Sequence, residues 1–186
     1  MIPRLAELEP LHASTRAFLD ALASSSFRGD IRADAATRLV TATDNSVYQI
    51  LPQAVVFPTS AEDVVALATL STDPNYQGLT LAPRGGGTGT NGQSLSEGII
   101  VDLSRHMNGI LEINAAEGWV RVQPGVVLDQ LNRALKPLGL FFAPNLSPSS
   151  RATVGGMIST DACGEGSNHK QSDKELVANP ALNAFE

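Results

Sequence analysis

The sequence has one cysteine, Cys163, so no disulfide can close within the chain and no zinc or iron–sulfur site can be assembled from its own thiolates. It has no excess of basic charge: 13 Lys and Arg stand against 19 Asp and Glu, for a net charge of -6. A partner held by phosphate neutralisation, such as a nucleic acid, needs the opposite balance. No apolar run approaches the roughly 18 residues of a membrane span. The opening Met1-Ile2-Pro3-Arg4-Leu5-Ala6-Glu7 lacks the basic-then-apolar layout of a secretory signal. His12 and His169 have no clustered partners, and there is no internal repeat and no block of like charge. What remains is ordinary in bulk. With 42% hydrophobic and 17% charged residues, the chain has enough apolar material to fold and is expected to be a cytoplasmic domain of 186 residues.

Its glycines are unevenly spread, and that is where the information lies. Leu11, Phe18, Leu19 and Leu22 fall at helical spacing and predict an amphipathic helix over residues 11–22. Residues 26–46 show little periodicity and read as a connector. Ala54-Val55-Val56-Phe57 reads as a buried strand. Thr59-Ser60-Ala61-Glu62-Asp63 then carries a helix-start signal, a hydroxyl followed three residues later by an acid. That helix should stop near Asp73-Pro74. Strands are expected at 79–82 and 99–103, and a hairpin at 110–113 and 119–122. A helix over 127–138 and a last strand at 140–142 complete an α+β pattern.

Three segments point to chemistry. In the first, Pro83-Arg84-Gly85-Gly86-Gly87-Thr88-Gly89-Thr90-Asn91-Gly92-Gln93-Ser94, successive glycines let main-chain N–H groups converge on one anion. Thr88, Thr90 and Ser94 add hydroxyl donors. A hairpin tip is the plain alternative, but a plain loop rarely needs three consecutive glycines straight after an apolar strand. Two familiar patterns almost fit. Gly87, Gly89 and Gly92 match the dinucleotide fingerprint as a string, yet the helix that should receive the pyrophosphate is missing. The P-loop spacing also fits, but Gln93 stands where the lysine is required.

The second segment is Gln123-Pro124-Gly125-Val126, by itself a turn and a helix start. The third runs from Pro144 to Gly164. Its small residues would let a flat ligand lie against the main chain, with Ser149, Thr153, Ser159 and Asp161 as polar contacts. The plain alternative is a small-residue helix packed tightly on a neighbour. His106 reads as a solvent-facing turn residue and Cys163 as a small packed one.

The order of these segments resembles the FAD-binding domain of FAD-linked oxidases of the vanillyl-alcohol-oxidase or p-cresol-methylhydroxylase type. Within that family it is most similar to the bacterial D-2-hydroxyglutarate dehydrogenases, whose long forms carry a C-terminal iron–sulfur module. The resemblance covers residues 1–167 and implies two α+β subdomains with FAD between them, the first complete and the second truncated here. It divides the chain into a helix and connector (1–46), the partial FAD-binding domain (47–167) and a divergent tail (168–186). It assigns Arg84, Gly85, Gly86, Gly87, Thr88, Gly89 and Gly92 to the pyrophosphate loop, with Gln93 and Ser94 at its edge. It assigns Pro124 and Gly125 to a turn beside the cofactor. Pro144, Ser149, Thr153, Gly155, Gly156, Ser159, Asp161 and Gly164 line the segment passing the ribityl chain and flavin ring.

Some relatives attach the flavin through a histidine of the first loop. Gly87-Thr88 occupies that place here, so the expectation is non-covalent FAD and no metal. The implied activity is dehydrogenation of a 2-hydroxy acid such as D-2-hydroxyglutarate or a D-lactate-like compound. No catalytic base can be named in this chain. The substrate-binding part of the family pattern is absent, so the isolated chain is expected to be inactive, and its incomplete second subdomain could pair with another copy. Two other readings stand beside this one: a truncated scaffold that holds no flavin, and a reductase of UDP-sugars on the same fold.

Overall fold

The computed structural model describes residues 9–162, which divide into two compact units meeting in sequence at His106 and Met107. In the first unit, helix α1 (Ala13–Ala23) buries Thr15, Phe18, Leu19 and Leu22, the stripe that the sequence periodicity marks. Strand β1 (Asp30–Arg32) and helix α2 (Ala35–Thr41) follow. Strand β2 (Ala54–Phe57) is buried at every position. Helix α3 (Ala61–Ser71), strand β3 (Leu81–Arg84) and strand β4 (Ile99–Asp102) complete the unit.

The sheet order is β1-β2-β4-β3. β4 runs parallel to both β2 and β3, while β1 is antiparallel to β2. The continuous apolar runs of β2 and β4 reflect burial on both faces. One face, carrying Ala54, Val56, Ile99 and Val101, packs with Phe18, Leu19 and Leu22 of α1 and Leu67 of α3. The other gathers Val55, Phe57 and Ile100. Each fully buried aliphatic or Phe side chain contributes about 1.5–3 kcal/mol, so strands and helices together stabilise the unit through this core. β3 lies at the sheet edge, which is where Pro83 can be tolerated. The carbonyls of Thr80 and Arg84 accept from β4 and its end, so residue 83, of opposite parity, turns its missing N–H away from the ladder.

The start of α3 matches its sequence signal. Ser60 caps the helix by accepting from the Asp63 amide. The Asp63 carboxylate, 1% exposed, accepts from the Thr59 amide at 2.8 Å, the Thr59 hydroxyl at 2.6 Å and the Arg28 amide at 2.6 Å. Burial works to raise its pKa, but these hydrogen bonds outweigh burial and hold it below the usual carboxylate range.

Residues 26–46 depart from the expected connector. β1 is three residues long, too short to display a period, and α2 is announced only by Asp34, whose side chain accepts from the Thr37 amide. Buried Arg38 then ties α2 to the carbonyls of Pro52 at 2.8 Å and Glu9 at 3.2 Å.

The second unit pairs strands β5 (Ile110–Asn114) and β6 (Trp119–Val122) as the expected hairpin. Helix α4 (Leu128–Leu135) buries Leu128, Leu131 and Leu135 and passes into a 3-10 turn at Lys136–Leu138. Helix α5 (Val154–Thr160) closes the described chain. The core of this unit joins Val126, Leu131, Leu135 and Val154 to the inner face of the hairpin. The strand expected at 140–142 does not form. Its amides are taken by the preceding helix instead, Leu140 by the Leu135 carbonyl at 3.3 Å and Phe142 by Asn132 Oδ1 at 2.7 Å. Among the described residues, no helix is long and apolar enough to cross a membrane.

Candidate functional site

Because β3 and β4 are parallel neighbours, the chain leaving Arg84 must return to the start of Ile99 at the other end of the sheet. Residues 85–98 make that crossover without a helix. This removes the hairpin-tip alternative, since adjacent parallel strands cannot be joined by a tight turn. The glycine loop is therefore a crossover leaving the C-terminal end of a sheet strand, the end at which open sheets with parallel strands commonly hold ligands.

Its donors are unspent. Among the described residues, none accepts a hydrogen bond from the amides of Gly85, Gly86, Gly87, Thr88 or Gly89. Gly87 is buried and the other four are half-buried. A loop that keeps these five N–H groups out of the sheet ladder leaves them available to an acceptor other than the described protein. Gly87 sits at φ 61 and Gly92 at φ 75, the left-handed region that other residues enter at a cost.

Side chains hold the loop from beneath. The Arg84 guanidinium turns back on it: Nη2 donates to the Thr43 carbonyl at 2.7 Å, and Nη1 reaches the Thr41 carbonyl, the Ser94 carbonyl and Ser94 Oγ, each at 3.4 Å. Burial pushes the Arg84 pKa down, with Asp102 and Asp44 opposing that shift. Ser94 Oγ donates to Asp44 Oδ2 at 3.0 Å. Gln93 lies against Gly89 and accepts from the Asn91 amide at 3.0 Å. The Tyr48 ring lies against Gly92, where a Cβ would stand 3.0 Å from Cδ2. Thr41, Thr43, Asp44 and Tyr48 were not singled out by the sequence. They lie about 40 residues upstream of the loop, Thr41, Thr43 and Asp44 in the segment read as connector and Tyr48 just beyond it, and nothing in their spacing pairs them with it.

In the second unit, Pro124, Gly125, Thr153 and Gly155 come together. Thr153 bridges Val127, the Val154 amide donates to the Val126 carbonyl at 2.9 Å, and the Gly155 amide donates to the Pro124 carbonyl at 2.9 Å. A Cβ on Gly155 would stand 2.7 Å from Cβ of Pro124. The Gly125 amide is likewise committed, to the Met107 carbonyl at 2.8 Å. Pro144 is buried and Ser149 half-buried, with the Ser149 carbonyl accepting from the Asp129 amide at 3.2 Å. Gly156 and Ser159 are exposed, Ser159 Oγ donates to the Gly155 carbonyl at 2.8 Å, and Asp161 ends α5 at φ 50. Gly164, Cys163 and His169 lie outside the described residues.

His106 is exposed in a turn, with Nε2 2.9 Å from Asp30 Oδ2. That bond, with Arg105 and Arg32 adding their charge, holds the Asp30 carboxyl below its usual range.

Comparison with known proteins identifies the family. The model of the FAD binding domain matches residues 52–179. D-2-hydroxyglutarate dehydrogenase of Pseudomonas putida is 66% identical over 167 residues, which are 90% of this chain and 16% of that protein. The enzyme of the same name from Escherichia coli is 56% identical over the same length, again 90% of this chain and 16% of that protein. Among solved structures, alkyldihydroxyacetonephosphate synthase superposes with a TM-score of 0.78 at 19% identity, over 93% of this chain and 37% of that one. This last likeness speaks for the fold alone. The chain thus spans about a sixth of the length of the curated relatives just named. A mixed fold with a glycine crossover of unspent amides, and a domain match over most of its length, make this chain a member of the FAD-binding family of FAD-linked oxidases.

Proposed function

We propose that this chain is the FAD-binding portion of a flavin-dependent dehydrogenase of a 2-hydroxy acid, D-2-hydroxyglutarate or a close analogue. The observation carrying this reading is the set of unspent amides from Gly85 to Gly89 in the crossover between parallel strands. Such an array suits a diphosphate, because it neutralises charge with fixed dipoles and needs no reorganisation on binding. The Thr88 hydroxyl would add a donor, and Gly92, Gln93 and Ser94 would form the far edge of the loop.

Pro124, Gly125 and the segment from Pro144 to Gly164 would flank the ribityl chain and ring. In that segment the close fit of Gly155 on Pro124 supports a rigid wall. When bound, FAD supplies a two-electron acceptor for the hydride that leaves C2 of the substrate. This chain's share is to bind and orient it. With Gly87 and Thr88 where a histidine would be needed, attachment is non-covalent. The FAD-binding part runs over residues 47–167, after the 1–46 helix and connector and before the 168–186 tail. The isolated chain, about a sixth of the length of those relatives, is proposed to bind flavin without turning over substrate.

Titrating the purified chain with FAD tests the reading. Quenching of flavin fluorescence, with release of all flavin on acid denaturation, is the expected result. No quenching at tens of micromolar FAD would contradict it.

A further inference from the structure

We propose that Arg84 is a positioning residue that clamps the 41–49 turn onto the glycine loop and so holds the loop's amides in place, without itself contacting the diphosphate. This rests on the reading of the loop given above.

The turn is itself a closed unit. The Ile50 amide donates to the Ala42 carbonyl at 2.9 Å, and Thr43 bridges Gln49. The Thr41 and Thr43 carbonyls stand on either side of Ala42 on the first arm of this turn, and both meet the Arg84 guanidinium. Arg84 is the last residue of β3 and so is held by the sheet. Its two terminal nitrogens are both turned toward protein oxygens, the shortest contact being 2.7 Å to Thr43. A planar guanidinium can reach several carbonyls at once, and an ammonium on a flexible stem cannot reproduce that fork.

The loop is built around this side chain. A Cβ at Gly87 would stand 2.5 Å from Arg84 Nη2, so the guanidinium occupies the space that glycine leaves open. Two contacts repeat the link farther along, the Ser94 hydroxyl on Asp44 and the Tyr48 ring on Gly92. The loop thus meets the turn at its start, through Arg84, and again at Gly92 and Ser94. Among the described residues none accepts from these five amides to fix their directions, so an external clamp is what would pre-organise them, and pre-organisation is worth affinity.

The test compares the unaltered chain with Arg84→Lys, Arg84→Met and Asp44→Asn. Heteronuclear NOE and order parameters of the 85–94 amides are measured without ligand, and FAD affinity is measured by fluorescence. If Arg84 clamps, the loop amides are rigid in the unaltered chain and fall below an order parameter of about 0.6 in both Arg84 variants. FAD then binds about tenfold more weakly in both, Lys giving no rescue. Asp44→Asn produces a smaller change in the same direction and decides the matter if Arg84→Met does not fold. Normal FAD affinity in Arg84→Lys, or loop amides equally rigid in every variant, overturns the proposal. An unaltered chain that binds no FAD refutes the diphosphate reading, while the order parameters still decide the clamp.

Discussion

Two glycine-rich stretches of this chain look alike on paper and behave differently in the structure. Between Gly85 and Gly89 the amides make no hydrogen bond to the described protein. Around Gly155 they are consumed, with Val154, Gly155 and Met157 donating to Val126, Pro124 and Thr153. In the first stretch the absence of Cβ atoms serves positive φ and room for Arg84 beside Gly87. In the second it serves close packing, because Pro124 leaves no space at Gly155. Glycine richness alone therefore says little about ligand binding; whether the neighbouring N–H groups are spent says more.

Substitutions can sharpen that contrast. The largest effect is expected from Gly87→Val, which combines a β-branched residue at φ 61 with a clash on Arg84. FAD affinity should fall by about a hundredfold, or about 3 kcal/mol, and flavin titration reads it directly. Asp63→Asn lies in neither stretch and calibrates the cost of damage to the fold alone. It trades an acceptor of three hydrogen bonds for a group with one acceptor oxygen, and urea unfolding should show a loss of about 2–3 kcal/mol.

Asp63 also predicts a pH dependence. Its native pKa is depressed below the ordinary unfolded value of about 4. The stability it contributes is complete above that unfolded value and is lost as pH falls through the native one. Unfolding free energies compared between pH 6 and pH 3 should therefore drop less in Asp63→Asn than in the unaltered chain.

Gly155→Ala should lower stability by about 1–3 kcal/mol through overpacking on Pro124, seen as a reduced Tm. Gly156→Ala sits on the exposed side of α5, where the new methyl meets only Thr153 Oγ1 at 3.2 Å. Thermal unfolding should change by no more than about 0.5 kcal/mol, since alanine's better helix propensity offsets the contact. A large effect at Gly156, or none at Gly87, would erase the distinction between the two stretches.

Much of this was legible in the sequence where a local signal exists. The β2 run, the Ser60 cap, the α1 stripe and the hairpin all follow from side-chain period and short-range hydrogen bonding. The glycine loop at residues 85–89 was legible because three consecutive glycines closely follow an apolar strand. Strand order was not, since nothing local states that β4 enters between β2 and β3. Nor was the expected strand at 140–142 ruled out, because Asn132 and the end of α4 claim its amides only after folding. The largest omission was the 41–49 turn, whose carbonyls meet Arg84 through contacts more than 40 residues apart in sequence.

The central claim is that the Gly85–Gly89 amides bind a diphosphate, and amide NMR shifts measured while FAD, and separately inorganic pyrophosphate, are added test it most directly. The account predicts that both additions shift these five resonances together, while the Gly155 and Met157 amides respond to neither pyrophosphate nor its charge. Saturable FAD binding that leaves residues 85–89 unmoved would contradict it.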